Sequence, residues 1–109
     1  MVVNYEMSEK VLEVTFEEEI DHHSCLRFAV MIDDALKKYM PKEVIFNFEN
    51  VTFMDSSGIG MLIGRYRKII RNGGKAEIMN LKPELRRIFE MSGILKIMSE
   101  KGMVEWKTK

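Results

Sequence analysis

Cysteine is almost missing from these 109 residues: Cys25 stands alone, with no internal disulfide partner, which fits a reducing cytoplasm rather than a disulfide-stapled secreted scaffold. There are two prolines, Pro41 and Pro83, too few for a proline-rich linker. Long apolar runs are lacking too. The nearest to one, Ile59 to Ile63, is broken by Gly60 and falls far short of the ~20 residues a membrane-crossing helix needs. The first ten residues carry Glu6 and Glu9 and show no basic stretch leading into an apolar one, so they do not read as a secretory signal. Nor does one sign of charge dominate: 17 Lys and Arg face 17 Asp and Glu, against the basic surface that binds nucleic acid. These absences point to a soluble, cytoplasmic protein with no membrane and no direct nucleic-acid partner.

Signatures of catalysis are equally scarce. The chain has no G-x-x-x-x-G-K-[ST] phosphate loop, no kinase signature set and no G-x-S-x-G. Gly58, Gly60 and Gly64 form G-x-G-x-x-x-G, a partial match to a dinucleotide fingerprint. Against it, the chain is short and Ala76 to Asn80 offers no acid at its end for a ribose. His22 and His23 are the only histidines and adjoin each other, with no Cys or His at ligand spacing, so they read as a polar loop leading into a helix rather than as a metal or catalytic pair. No catalytic residue, cofactor or metal is expected, and any nucleotide must be brought by another protein.

What the chain does have is 46% apolar content, enough for one core in a single domain over residues 1–109. Its charges are unevenly placed: residues 1–55 hold 12 acidic and 5 basic side chains, residues 56–109 hold 5 and 12, or −7 against +7. Such a split suits the steering of one protein partner, or simply marks segregated solvated faces.

Periodicity gives the elements. Val2 to Met7 and Val11 to Phe16 read as a hairpin turning at Ser8, Glu9 and Lys10. Cys25, Ala29, Ile32, Leu36 and Tyr39 follow helical spacing up to Pro41, and Val44 to Phe48 is a buried strand. Ile59, Leu62, Ile63, Tyr66, Ile69 and Ile70 form a second helical stripe stopped by Asn72-Gly73-Gly74. Arg65, Arg67, Lys68 and Arg71 lie off that stripe, as a solvated face or a secondary partner contact. A strand at Ala76 to Met79 and a helix from Pro83 to Gly93 follow, then weaker strand candidates at Ile94 to Met98 and Met103 to Trp106. Strands alternating with helices predict an α/β fold, a small and mostly parallel sheet with interleaved helices. Functional groups then collect beyond the carboxyl ends of the strands, where Asp55-Ser56-Ser57 falls.

That triplet suits a helix start, because aspartate and serine oxygens accept hydrogen bonds from the first-turn N–H groups. Ser56 or Ser57 is expected to cap. Gly58 and Gly60 leave the first turn bare of side chains, open to an anion at the positive end of the helix.

"NVTFMDSSGIGMLIGRYRKI", with "EIDHHS" upstream and "RRIFEMSGILKI" downstream, resembles the STAS-domain anti-sigma factor antagonists, and among them the sporulation antagonists that free a forespore sigma factor. The resemblance spans nearly the whole chain and implies the STAS fold. It implies that Ser56, directly after the aspartate, is phosphorylated by an anti-sigma factor that is also a GHKL-type serine kinase bringing ATP and Mg, and is dephosphorylated by a PP2C-type phosphatase. The unphosphorylated form would bind the anti-sigma factor and release the sigma factor. Asp21 matches the family aspartate beside the phosphorylation site, or caps the first helix. Asp55 presents Ser56 or bonds the backbone. Ser57 caps rather than reacts, and Gly58 allows close approach of a partner or phosphate. Glu18 stands where the family usually has glycine. Lys82 replaces a small hydroxyl residue before Pro83 and weakens that helix's cap. Few residues follow Trp106 for the helix that often closes such chains. The alternative is a ligand-sensing or nucleotide-binding STAS module in which Ser56 is never modified.

Overall fold

The computed structural model describes residues 1–101. Alternating apolar residues make the N-terminal strands β1 (Val2–Glu6) and β2 (Val11–Thr15), which pair antiparallel. Glu6 holds their turn: its carboxylate accepts from the Ser8 hydroxyl at 2.6 Å and from the backbone N–H groups of Ser8 and Glu9. The Ser8 hydroxyl foremost, then those N–H groups, hold the Glu6 carboxyl below its ordinary range.

Then come α1 (His22–Tyr39), β3 (Glu43–Asn47), α2 (Ser56–Arg71), β4 (Lys75–Met79), α3 (Pro83–Ser92) and β5 (Ser99–Glu100). The sheet runs β1-β2-β3-β4-β5, and β2 to β5 are parallel. Each parallel step is a right-handed crossover in the same direction, which puts all three helices on one face. Leu12, Val14, Val44, Phe46, Ala76 and Ile78 are buried beneath them. The densest part of the core is aromatic: the Phe16 ring centroid lies 5.3 Å from Phe28 and 5.2 Å from Phe48, which meets Phe89 edge-on at 5.2 Å. The other face carries a polar ladder, Asn80 Nδ2 donating to Asn47 Oδ1 at 3.1 Å and Asn47 Nδ2 to Glu13 Oε2 at 3.0 Å.

Two expectations change. Ile94 to Met98 is no strand: Gly93 leaves α3 in the left-handed region (φ 79°), Ser92 Oγ accepts from the Ile94 N–H, and residues 94–96 form a 3₁₀ turn. Ile94 and Met98 are the buried pair, a spacing of four that suits a helical turn, whereas a strand would have turned Lys96 inward with them. The strand begins only at Ser99. Arg65 and Lys68 are not merely a solvated face. Asp33 of α1 sits between them, 2.9 Å from Arg65 Nε and 2.7 Å from Lys68 Nζ, and clamps α1 to α2. Arg67 and Arg71 are exposed. The strand expected at Met103 to Trp106 lies outside the described residues.

Candidate functional site

Two loops meet beyond the carboxyl ends of β2 and β3. A single parallel bridge joins Ile20 to Met54: the Ile20 N–H donates to the Phe53 carbonyl and the Asp55 N–H to the Ile20 carbonyl, both at 3.1 Å. The bridge sets two aspartates, and two helix starts, side by side. Asp21 caps α1, accepting from the Ser24 N–H at 2.9 Å, while its own N–H donates to Ser24 Oγ at 2.9 Å. The Ser24 N–H is the main reason the Asp21 carboxyl lies below its usual range.

Asp55 caps α2, accepting from the Ser57 N–H at 2.9 Å. The expected serine cap is thereby corrected, since the aspartate carboxylate reaches the first-turn donors and Ser57 supplies one of them. Ser56 is the first helical residue, is exposed, and its hydroxyl makes no hydrogen bond among the described residues. Ser57 is half-buried. Gly58 is buried, and its bare backbone is approached from inside: a Cβ there would collide with Cγ and Sδ of Met54 and stand 3.0 Å from Cγ2 of Ile20. Gly60 alone faces open space in that turn.

Beside Ser56 a groove of about 550 Å³ runs between the β3–α2 loop and α3, with Phe53, Ile59, Leu85, Ile88 and Met91 among its walls. Neither this groove nor Arg87 on its α3 wall was legible in sequence, because a tandem Arg86-Arg87 does not say which arginine is engaged. Arg86 pairs with Glu100 at 2.9 and 2.5 Å. Cys25 is buried behind the two caps, and desolvation foremost, then Asp55 and Asp21, raise its thiol above the usual range, against a nucleophilic role. His22 and His23 are exposed at the start of α1. The site holds an accessible hydroxyl on the first residue of α2, flanked by carboxylates and an apolar groove.

The STAS domain family matches residues 3–105. The anti-sigma F factor antagonist of Paenibacillus polymyxa is 35% identical over 88 residues, 81% of this chain and 75% of that one. The chain belongs to the STAS-domain anti-sigma factor antagonists. Two solved structures agree with this antagonist's fold. The anti-sigma factor antagonist SpoIIAA in its unphosphorylated form is 30% identical with a TM-score of 0.65, over 83% of each chain. The Bacillus cell fate determinant SpoIIAA in the phosphorylated form is 27% identical with a TM-score of 0.67, over 99% of this chain and all of that one. Among the described residues of the antagonist no helix is long and apolar enough to cross a membrane, and no three His, Cys, Asp or Glu gather as a metal site.

Proposed function

We propose that this antagonist is a cytoplasmic, phosphorylation-switched regulator of sigma factor release, of the kind used in sporulation. Unphosphorylated, it binds an anti-sigma factor that is also a GHKL-type serine kinase and displaces a sigma factor. Phosphorylated on Ser56, it no longer binds, and a PP2C-type phosphatase restores it. The chain acts as substrate: the Ser56 hydroxyl attacks the γ-phosphorus of the kinase's Mg-bound ATP, the Oγ–P bond forms, the bond to ADP breaks, and the proton passes to the kinase. Asp21, Asp55, Ser57 and Gly58 form the partner-facing rim and its scaffold.

The observation that carries this reading is the division of labour at the α2 start: Asp55 caps, and the exposed Ser56 hydroxyl stays free. Phosphoserine brings a charge of about −1.5 to −2, and a helix start contributes only about 0.3–1 kcal/mol toward holding it. The fold tolerates the mark. At an interface the dianion must be desolvated beside the Asp21 and Asp55 carboxylates, and a loss of ~4 kcal/mol weakens binding ~1000-fold. The test is incubation with the cognate kinase and ATP, followed by intact mass and peptide mapping. A gain of one phosphate at Ser56, absent in Ser56→Ala, and release of the kinase on modification are expected; an unmodified Ser56 with no kinase retained overturns the switch. The apolar groove favours one rival, a ligand-sensing module, which requires small-molecule binding without any protein partner.

A further inference from the structure

Phosphorylation of Ser56, on which this inference rests, sets a charge problem that the start of α2 does not solve. The Asp55 carboxylate takes the Ser57 N–H at 2.9 Å and the Asp55 carbonyl takes the Gly58 N–H at 3.0 Å, so two donors that would cradle an anion at a helix start are committed. The same carboxylate repels a second anion beside it. Asp21 adds another across the Ile20–Met54 bridge. A dianion on Ser56 needs a cation from outside α2.

One lies across the groove. Ser56 lines it whereas Asp55 and Ser57 do not, and among the described residues Arg87 is the one Lys or Arg on its walls. Arg87 is exposed on α3, and among the described residues it makes no ion pair. Its neighbour Arg86 is held by Glu100. Glu84, one turn before Arg87, is the one acid on its walls among the described residues. We propose that Arg87 is the internal receptor for the phosphate on Ser56, its guanidinium taking two phosphate oxygens across the groove. The pair ties α3 to the start of α2 and roofs over Ile59, Ile88 and Met91. Phosphorylation then closes an apolar surface as well as adding charge.

The experiment installs phosphoserine at position 56 during translation, so no kinase is needed, and follows the second phosphate ionisation by ³¹P NMR from its ordinary midpoint of about 6. The Arg87 guanidinium and the α2 start favour the dianion and lower the midpoint; the Asp55, Asp21 and Glu84 carboxylates raise it. His22 and His23 are exposed at the start of α1, so the series is repeated with both changed to Gln. Arg87→Gln should raise the midpoint by about 0.5–1 unit, Arg87→Lys should recover part of the difference, and Arg67→Gln on the exposed face of α2 should leave it unchanged. The Arg87 Nε resonance should also move between the unmodified and phosphorylated chains. Equal midpoints for the parent and Arg87→Gln, or an unmoved Nε resonance, overturn the pairing. A cognate kinase that ignores Ser56 would overturn the switch proposed above without altering this titration, and equal midpoints would leave that switch standing.

Discussion

At the residue scale the site rests on contacts made behind it. Met54 fills the space a side chain on Gly58 would need, with Ile20 against its other side. Gly58→Ala should cost about 1–3 kcal/mol as overpacking, and Met54→Ala about 2–5 kcal/mol as a cavity. The double variant should lose clearly less than the sum, because each change makes room for the other. Urea unfolding of the three variants measures this, and additive losses would show that the two residues do not share the space. Asp21 gives a pH signature. Its folded pKa lies below the ordinary 3.8 because the Ser24 N–H bonds the charged form. Its contribution is therefore fully present above about pH 4 and lost as pH falls through the lower folded value. Asp21→Asn keeps an acceptor for that N–H but takes up no proton, so it should lose less stability than the parent between pH 4 and pH 2 in acid-unfolding curves. Identical slopes would refute the assignment. Asp-Ser-Ser-Gly between two apolar runs marked the segment in sequence, and the family resemblance, not the pattern, chose Ser56 over Ser57. The cap was misassigned because serine and aspartate both suit that position, and one residue of shift decides which oxygen reaches the first turn.

Elements were more legible than their ends. Helical spacing located α1, α2 and α3, since each buries one regular stripe, and the β-branched and aromatic run Val44 to Phe48 located β3, which is buried on both faces. The sequence misled after Gly93, where a short apolar run fits either a strand or a turn and only packing against the core chooses. Lys82 shows an end read correctly: it precedes α3 at the N-cap and makes no side-chain cap. Lys82→Ser should add about 1 kcal/mol, also removing a cation from the positive end of the helix, and should raise the thermal midpoint. An unchanged midpoint would mean that the carbonyl bonds from Lys82 to the N–H groups of Leu85 and Arg86 already fix the end. The α1–α2 clamp was illegible, because Asp33 and its partners Arg65 and Lys68 lie more than thirty positions apart. Asp33→Ala leaves two cations facing each other over a half-buried seam and should cost about 1–2 kcal/mol, less than the ~3–5 of a fully buried pair. The urea midpoint should fall with no change in slope.

On the scale of the whole molecule, the strand order places both helix caps, the exposed Ser56 hydroxyl and the groove at one end of the sheet, while the polar ladder of Asn80, Asn47 and Glu13 runs along the opposite face. That end was anticipated from the α/β alternation; the groove was not, because it is made by α3 leaning toward a loop thirty residues earlier in the chain. With phosphoserine at position 56, urea unfolding should keep the parent's slope and shift stability by no more than about 1 kcal/mol; a larger loss would mean that the mark acts by unfolding. The free hydroxyl of Ser56 also has a genetic consequence. A substitution that damages Gly58 or Met54 removes folded protein, and a second intact copy of the gene makes up the deficit. On the proposed switch, Ser56→Ala would instead leave a folded antagonist at full abundance that no kinase could retire and that would compete for the same partner. Alleles of the first kind should be recessive and alleles of the second dominant, an ordering that merodiploid strains would display directly.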